Sequence, residues 1–172
     1  NKIKVVRFNF PYMERRIQES RKFPPDRMPR LIEKWKKEID KIPKNQLLFI
    51  GGKSMGGRAA TLINFNELRR NVKGIINFGF PFHAPGKAPG KRIEHLKKLE
   101  VPCLINQGER DPMGTKTEIR NYALSPEIKI KYLADGNHDL RPRVKSGTTL
   151  EVNIQESVTN MIDFMNLLRI ER

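Results

Sequence analysis

The sequence predicts an α/β protein with a mostly parallel sheet flanked by helices, and three observations carry that prediction. Strand-like and helix-like segments alternate along the chain, the central strand Leu47–Ile50 reads as an unbroken apolar run, and it turns into a helix through a glycine-flanked serine. A parallel strand covered on both faces has no solvent side, so it lacks polar alternation. The 172 residues fit one domain, read as 1–172, large enough to bury most of the surface an unfolded chain exposes.

Ile3–Phe10, IKVVRFNF, reads as a first strand ended by Pro11, and 11–25 as a basic, irregular segment closed by Pro24-Pro25. From Met28 to Ile42 the apolar positions Met28, Leu31, Ile32, Trp35, Ile39 and Ile42 recur at helical spacing, with lysines and glutamates opposite. Pro29 suits a first turn and Pro43 a stop. Leu47–Ile50 is a central strand. The helix expected over Gly56–Phe65 opens with Gly56, Gly57, Ala59 and Ala60, small enough to pack close to a sheet. Gly74–Phe78 is the next strand, followed by the loop GFPFHAPGKAPGK and a short amphipathic helix around Arg92–Leu99. Pro102–Gln107 is another apolar strand and Lys116–Leu124 another helix. In Glu127–Leu133, Ile128, Ile130 and Tyr132 alternate with Lys129 and Lys131, as on an edge strand guarded against pairing. Thr148-Thr149-Leu150-Glu151 reads as a capping box opening a long helix with Ile154, Val158, Met161, Ile162, Met165 and Leu168 on one face.

Lysine and arginine number 34 against 19 acids, a formal net charge of +15. Such a balance favours acidic partners, but the bases are scattered over almost every segment and mixed with glutamates. The densest groups, Arg15/Arg16/Arg21/Lys22, Lys91/Arg92/Lys97/Lys98 and Arg141/Arg143/Lys145, are not interleaved with aromatics. The reading is a solvated surface, with no specific nucleic-acid recognition and, as no apolar run nears spanning length, no membrane. Cys103 is the single cysteine, so no intrachain disulfide forms. Within VPCLIN it reads as a small buried hydrophobe, and a reducing, cytoplasmic setting is the default expectation. The histidines are too dispersed for a dedicated metal site; His95, on a charged helix, reads as solvated.

Function is written most clearly in Gln46–Arg58, QLLFIGGKSMGGR, which contains the G-x-S-x-G pattern of a nucleophile elbow at Gly52, Ser54 and Gly56. In an open α/β sheet, functional residues collect at the carboxyl ends of strands. Ser54 follows LLFI, Asp111 follows CLINQ and His138 follows IKIKYL. A serine hydroxyl needs a neutral imidazole to accept its proton, and the imidazole needs a carboxylate to hold its tautomer and stabilise its cation. Each residue alone has another reading: Ser54 a helix N-cap, Asp111 a turn start before Pro112, His138 a loop residue. Together and in this order they point to nucleophilic catalysis. Met55, after the serine, is the expected donor of one oxyanion-hole N–H. Lys53, Phe82 and His83 are candidates for a substrate pocket, His83 having a structural loop role as its alternative. Lys53, Arg58 and the basic loops suit an anionic acyl group, or simply solvation.

The blocks FNFPYM, GGKSMGGRAA, GFPFHAPGK, QGERDPMGT and DGNHDLRPR resemble, in order and over nearly the whole chain, an α/β-hydrolase-like family. Its relatives include the third subunit of the NSL histone-acetyltransferase complex, testis-expressed protein thirty and many small bacterial proteins. The resemblance implies an α/β-hydrolase fold with Ser54, Asp111 and His138 as its triad. It also implies three further strands and a helix upstream, one strand lying between IKVVRFNF and LLFI, so the sequence is expected to lack an N-terminal part. Family members carry aspartate where Asn137 stands, a position asparagine can still turn. The short stretch between GIINF and CLINQ leaves no room for a lid domain, so an open site is expected. The expectation is a serine hydrolase acting on a small-molecule carboxylic ester or thioester, without a cofactor. The alternative is a non-catalytic interaction module that keeps the fold as a scaffold.

Overall fold

The computed structural model describes residues 3–65 and 72–170. Its chain divides into two compact units, Asn1–Pro43 and Lys44–Arg172.

In the first unit, 3–10 is not a strand but extended chain without a ladder, with Ile3, Val5 and Val6 exposed. β-branched residues favour strands only where a neighbour satisfies the backbone and covers a face. Here Phe8 instead sets its ring edge-on to Trp35, centroids 4.7 Å apart. The segment read as irregular holds helix α1 (Pro11–Gln18), with Pro11 in its first turn, where proline's missing N–H has no cost. Helix α2 (Met28–Asp40) forms as expected and buries Leu31, Trp35 and Ile39. Asp26 ties the two together: its carboxylate accepts the Tyr12 N–H at 2.8 Å and pairs with Arg15 at 3.3 Å and Arg30 at 3.1 Å.

The second unit is built on four parallel strands in sequential order, β1 (Leu48–Lys53), β2 (Val72–Phe78), β3 (Cys103–Gly108) and β4 (Ile128–Leu133). Every residue of β3 is buried, whereas β4 exposes Lys129 and Lys131, as an edge strand should. Successive strand residues point to opposite faces. Asn77 meets helix α3 (Met55–Thr61), while its neighbour Ile76 joins Leu104 and Phe164 in a core under helix α5 (Leu150–Ile170). Ala59 and Ala60 of α3 are fully buried, and a Cβ on Gly57 would lie 2.3 Å from Asn77 Oδ1. Small residues are therefore obligatory where this helix crosses the sheet. Among the described residues no helix is long and apolar enough to cross a membrane.

Some elements are shorter or turned relative to expectation. Helix α3 stops at Thr61 and α4 spans only Lys116–Ile119, opened by a capping box between Thr115 and Glu118. Residues Gly90–Lys98 form a 3₁₀ segment. Thr149 caps α5, its Oγ1 accepting from the Val152 N–H at 3.3 Å. The inward stripe of α5 runs through Asn153, Ser157 and Phe164, with the expected Met161, Met165 and Leu168 packed on the core beside it, and leaves Ile154 and Ile162 exposed. Asn153 faces in because the backbone beneath needs donors: its Nδ2 donates to Ala134 O at 3.1 Å and Leu140 O at 2.8 Å, while Ser157 Oγ donates back to Asn153 O at 2.7 Å.

Two titratable side chains in this frame give testable consequences. Cys103 is fully buried, and burial pushes its thiol up to about 12. Thiol labelling of the native protein at pH 8 should be negligible and reach one equivalent after denaturation, since only the thiolate reacts; rapid native labelling would contradict this packing. His95 is not solvated as expected. It is half-buried, with Nε2 2.9 Å from Thr61 Oγ1, and burial first, then Arg58, lowers its pKa to about 4. An unfolded chain takes up this proton near 6.5 and the folded chain only near 4, so stability is full above 6.5 and declines between those values. Melting temperatures should fall over that window in the wild type and more shallowly in His95→Gln.

Candidate active site

At the carboxyl end of β1 the chain reverses into α3 through Ser54, whose φ of 53° and ψ of −120° lie outside the favoured regions for a side chain. Two backbone bonds hold this turn: the Ser54 N–H donates to Phe78 O at 3.1 Å, and Ser54 O accepts from the Arg58 N–H at 3.0 Å. The result is a hydroxyl lifted above the strand end rather than one directed along it.

Asp111 lies in the turn after β3, fully buried. Its Oδ1 accepts the Met113 N–H at 2.8 Å, and its Oδ2 accepts from Gln107 Nε2 at 2.8 Å. His138, in the loop after β4, puts Nδ1 2.8 Å from that same Oδ2 and Nε2 2.8 Å from Ser54 Oγ. A carboxylate only accepts, so Nδ1 carries the imidazole proton and Nε2 is left to accept from the serine hydroxyl. The structure thus brings together three side chains from 54, 111 and 138 in one hydrogen-bonded chain.

The His138 loop is braced from several sides. Asn137 Oδ1 accepts from the Asp139 N–H at 2.9 Å and the Arg141 N–H at 3.0 Å, so asparagine turns the loop. Asp135 pairs with Arg143 at 2.5 Å and Arg110 at 2.7 Å, and its hydrogen bonds with Arg143 pull its carboxyl down to about 2. Gly79, at φ 60°, passes so close beneath that a Cβ would lie 2.5 Å from His138 O.

The remaining predicted residues are placed as follows. Met55 is the first residue of α3, so its N–H has no acceptor within the helix. Lys53 pairs with Asp139 at 2.5 Å, joining the neighbour of Ser54 to the neighbour of His138; this contact holds the Asp139 carboxyl below its usual range. Phe82 is fully buried against Gly114, Phe80 and Tyr122 and offers no surface to a ligand. His83 is buried too, its Nδ1 2.9 Å from Ala84 O and its backbone N–H donating to Met113 O at 3.1 Å. Its alternative reading as a structural loop residue describes this placement.

Gln107 is the residue that sequence reasoning missed. Fully buried at the end of β3, its amide donates to Asp111 Oδ2, to Gly114 O at 3.0 Å and to Phe80 O at 3.3 Å, and accepts the Phe80 N–H at 2.7 Å. One side chain thereby clips together the strand end, the Phe80 loop and the Asp111 turn. The available signal was the polar pair Asn106-Gln107 closing an apolar, fully buried run.

Among the described residues no three His, Cys, Asp or Glu side chains gather as a metal site. A cleft lined by Thr61, His95, Lys98, Leu99 and Glu100 lies toward the amino end of β3, away from Ser54.

Known proteins were compared with this chain. Residues 1–166 match the family described as alpha/beta hydrolase domain. A thioesterase domain from the curacin biosynthetic pathway superposes with a TM-score of 0.55 at 12% identity, over 80% of this chain and 73% of that one. The esterase domain of a Rhodothermus marinus protein gives 0.41 at 15% identity, over 64% of this chain and 57% of that one. With the match spanning nearly its full length, the chain belongs to the alpha/beta hydrolase domain family.

Proposed function

We propose that this protein is a serine hydrolase that cleaves a carboxylic ester or thioester through an acyl-enzyme on Ser54. The observation that carries the reading is the hydrogen-bonded chain Ser54–His138–Asp111, built on a serine held in a strained turn. His138 Nε2 takes the hydroxyl proton as Ser54 Oγ attacks the acyl carbon, and Asp111 stabilises the imidazolium. The same nitrogen returns that proton to the departing alcohol or thiol. It then deprotonates a water that attacks the acyl carbon, and as the bond to Ser54 Oγ breaks it returns that proton to the oxygen, releasing the acid and restoring Ser54. The Met55 N–H donates to the oxyanion that develops in each half. These steps use no cofactor.

The family match over 1–166 supports reading the chain as one α/β-hydrolase domain, and the five sequence blocks support kinship with the NSL-complex subunit and testis-expressed protein thirty. The substrate in this reading is a small acyl compound. Lys53 belongs to the rim of its site, with Phe82 and His83 supporting the adjoining loop from within. A panel of short-chain chromogenic esters and thioesters, with His138→Gln as control, tests the proposal. Turnover that disappears in the variant is the expected result. A folded wild-type protein that turns over none of them would favour a non-catalytic interaction module, and turnover indifferent to His138 would overturn the triad.

A further inference from the structure

The serine turn and the histidine loop are joined at adjacent positions. Ser54 Oγ meets His138 Nε2 at 2.8 Å, and beside them Lys53 Nζ meets Asp139 Oδ1 at 2.5 Å. Lys53 is the last residue of β1 and immediately precedes Ser54, while Asp139 immediately follows His138. The contacts are successive rungs between the same stretches of backbone. Leu140, buried at φ 63°, reverses the chain just after Asp139 and fixes where the outer rung begins.

Catalysis treats the rungs differently. The inner one depends on the serine hydroxyl proton, because the imidazole proton sits on Nδ1 and Nε2 only accepts. Once Ser54 Oγ is acylated and His138 has given its proton to the leaving group, neither partner has a proton to donate and the bond is gone. That is when the imidazole must be held in place to activate a water. The outer rung takes no part in proton transfer, so it outlasts acylation. Other anchors of the histidine loop lead elsewhere: His138 Nδ1 to Asp111, Leu140 O to Asn153 of α5, and Asp135 to Arg110 and Arg143. They fix the loop without tying it to the serine turn.

We propose that Lys53 and Asp139 are positioning residues for the second half of the reaction, their ion pair holding the His138 loop to the serine turn while Ser54 carries the acyl group; this rests on the hydrolase reading. The side chains are 50% and 68% exposed, so water screens the pair and its effect is modest. Breaking it should slow the step it serves about fivefold, which is about 1 kcal/mol.

Stopped-flow cleavage of p-nitrophenyl acetate, with the acetylated protein followed by intact mass, resolves the two halves. In Lys53→Met and in Asp139→Ala, hydrolysis of acetyl-Ser54 should slow about fivefold while acetylation changes less than about twofold, and the double variant should be no slower than either single one. Lys53→Arg should recover most of the rate, since a guanidinium can take the same partner. A loss confined to Lys53 variants, as when the lysine touches substrate instead, overturns the proposal. So does an equal loss in both halves, or no loss. A second readout needs no turnover, because Ser54→Ala removes the inner rung directly. The Asp139 N–H donates to Asn137 Oδ1 and the Leu140 N–H to Asn137 O, and exchange of these amides reports opening of the loop. Exchange in Ser54→Ala should stay near the wild type and quicken about fivefold when Lys53→Met is added. Exchange unchanged in that double variant overturns the outer rung, whatever the protein cleaves. In a protein that cleaves no ester, a fivefold response retains the rung and rejects the hydrolase reading alone.

Discussion

Ser54→Ala should lower ester turnover by about 10⁴-fold or more, the scale at which loss of an activated nucleophile leaves only binding and oxyanion stabilisation. The fold should tolerate the change, because among the described residues Ser54 Oγ makes one hydrogen bond, to a partly exposed histidine. The backbone supplies a second, opposite signature. At φ 53° a side chain is strained, and glycine is not. Ser54→Gly should therefore be as inactive as Ser54→Ala yet more stable, by about 1 kcal/mol or more. Equal melting temperatures for the two variants would mean that the elbow stores no strain. Turnover surviving in both would mean that the serine is not the nucleophile.

Gln107→Leu should be the most damaging single change to stability at the site. It keeps the apolar bulk but removes the partners of the Phe80 N–H, Phe80 O and Gly114 O and one donor to Asp111, all in the interior. Leaving several buried polar groups unsatisfied costs about 3–5 kcal/mol. For a chain of this size that corresponds to a fall in Tm of roughly 10 °C. Activity should fall further than stability accounts for, because the Asp111 turn loses the clip that aims its carboxylate at His138. A Tm within two degrees of the wild type would show that water or a shifted loop replaces the amide.

The difference between these two residues shows what the sequence could and could not convey. Ser54 announces itself locally: an apolar strand, a glycine on each side and small residues after it can be read without coordinates. Asp111 and His138 follow from topology, because a parallel sheet gathers the carboxyl ends of its strands on one side. Gln107 depends on two loops, those of Phe80 and of Asp111–Gly114, closing over it, and no spacing in the sequence encodes that. The inner face of α5 is legible only in part for a related reason: Met161, Met165 and Leu168 pack on the core as their spacing predicts, whereas Ile154 and Ile162 are exposed. Hydrophobicity selected Ile154 and Ile162, but the loop that carries His138 leaves carbonyls at Ala134 and Leu140 that only a donor such as Asn153 can satisfy. Residues 3–10 have strand composition, yet composition supplies no neighbouring strand. His95 reads as solvated when taken alone on its charged helix; its burial exists only once the 3₁₀ segment lies on α3.

The most direct measurement is covalent labelling by a fluorophosphonate, which reacts with a serine only when a neighbouring base activates it. The full protein should take up one equivalent, recovered on the peptide containing Ser54, and both Ser54→Ala and His138→Ala should take up none. A folded wild-type protein that stays unlabelled, or a label found on any other residue, would contradict the activated serine.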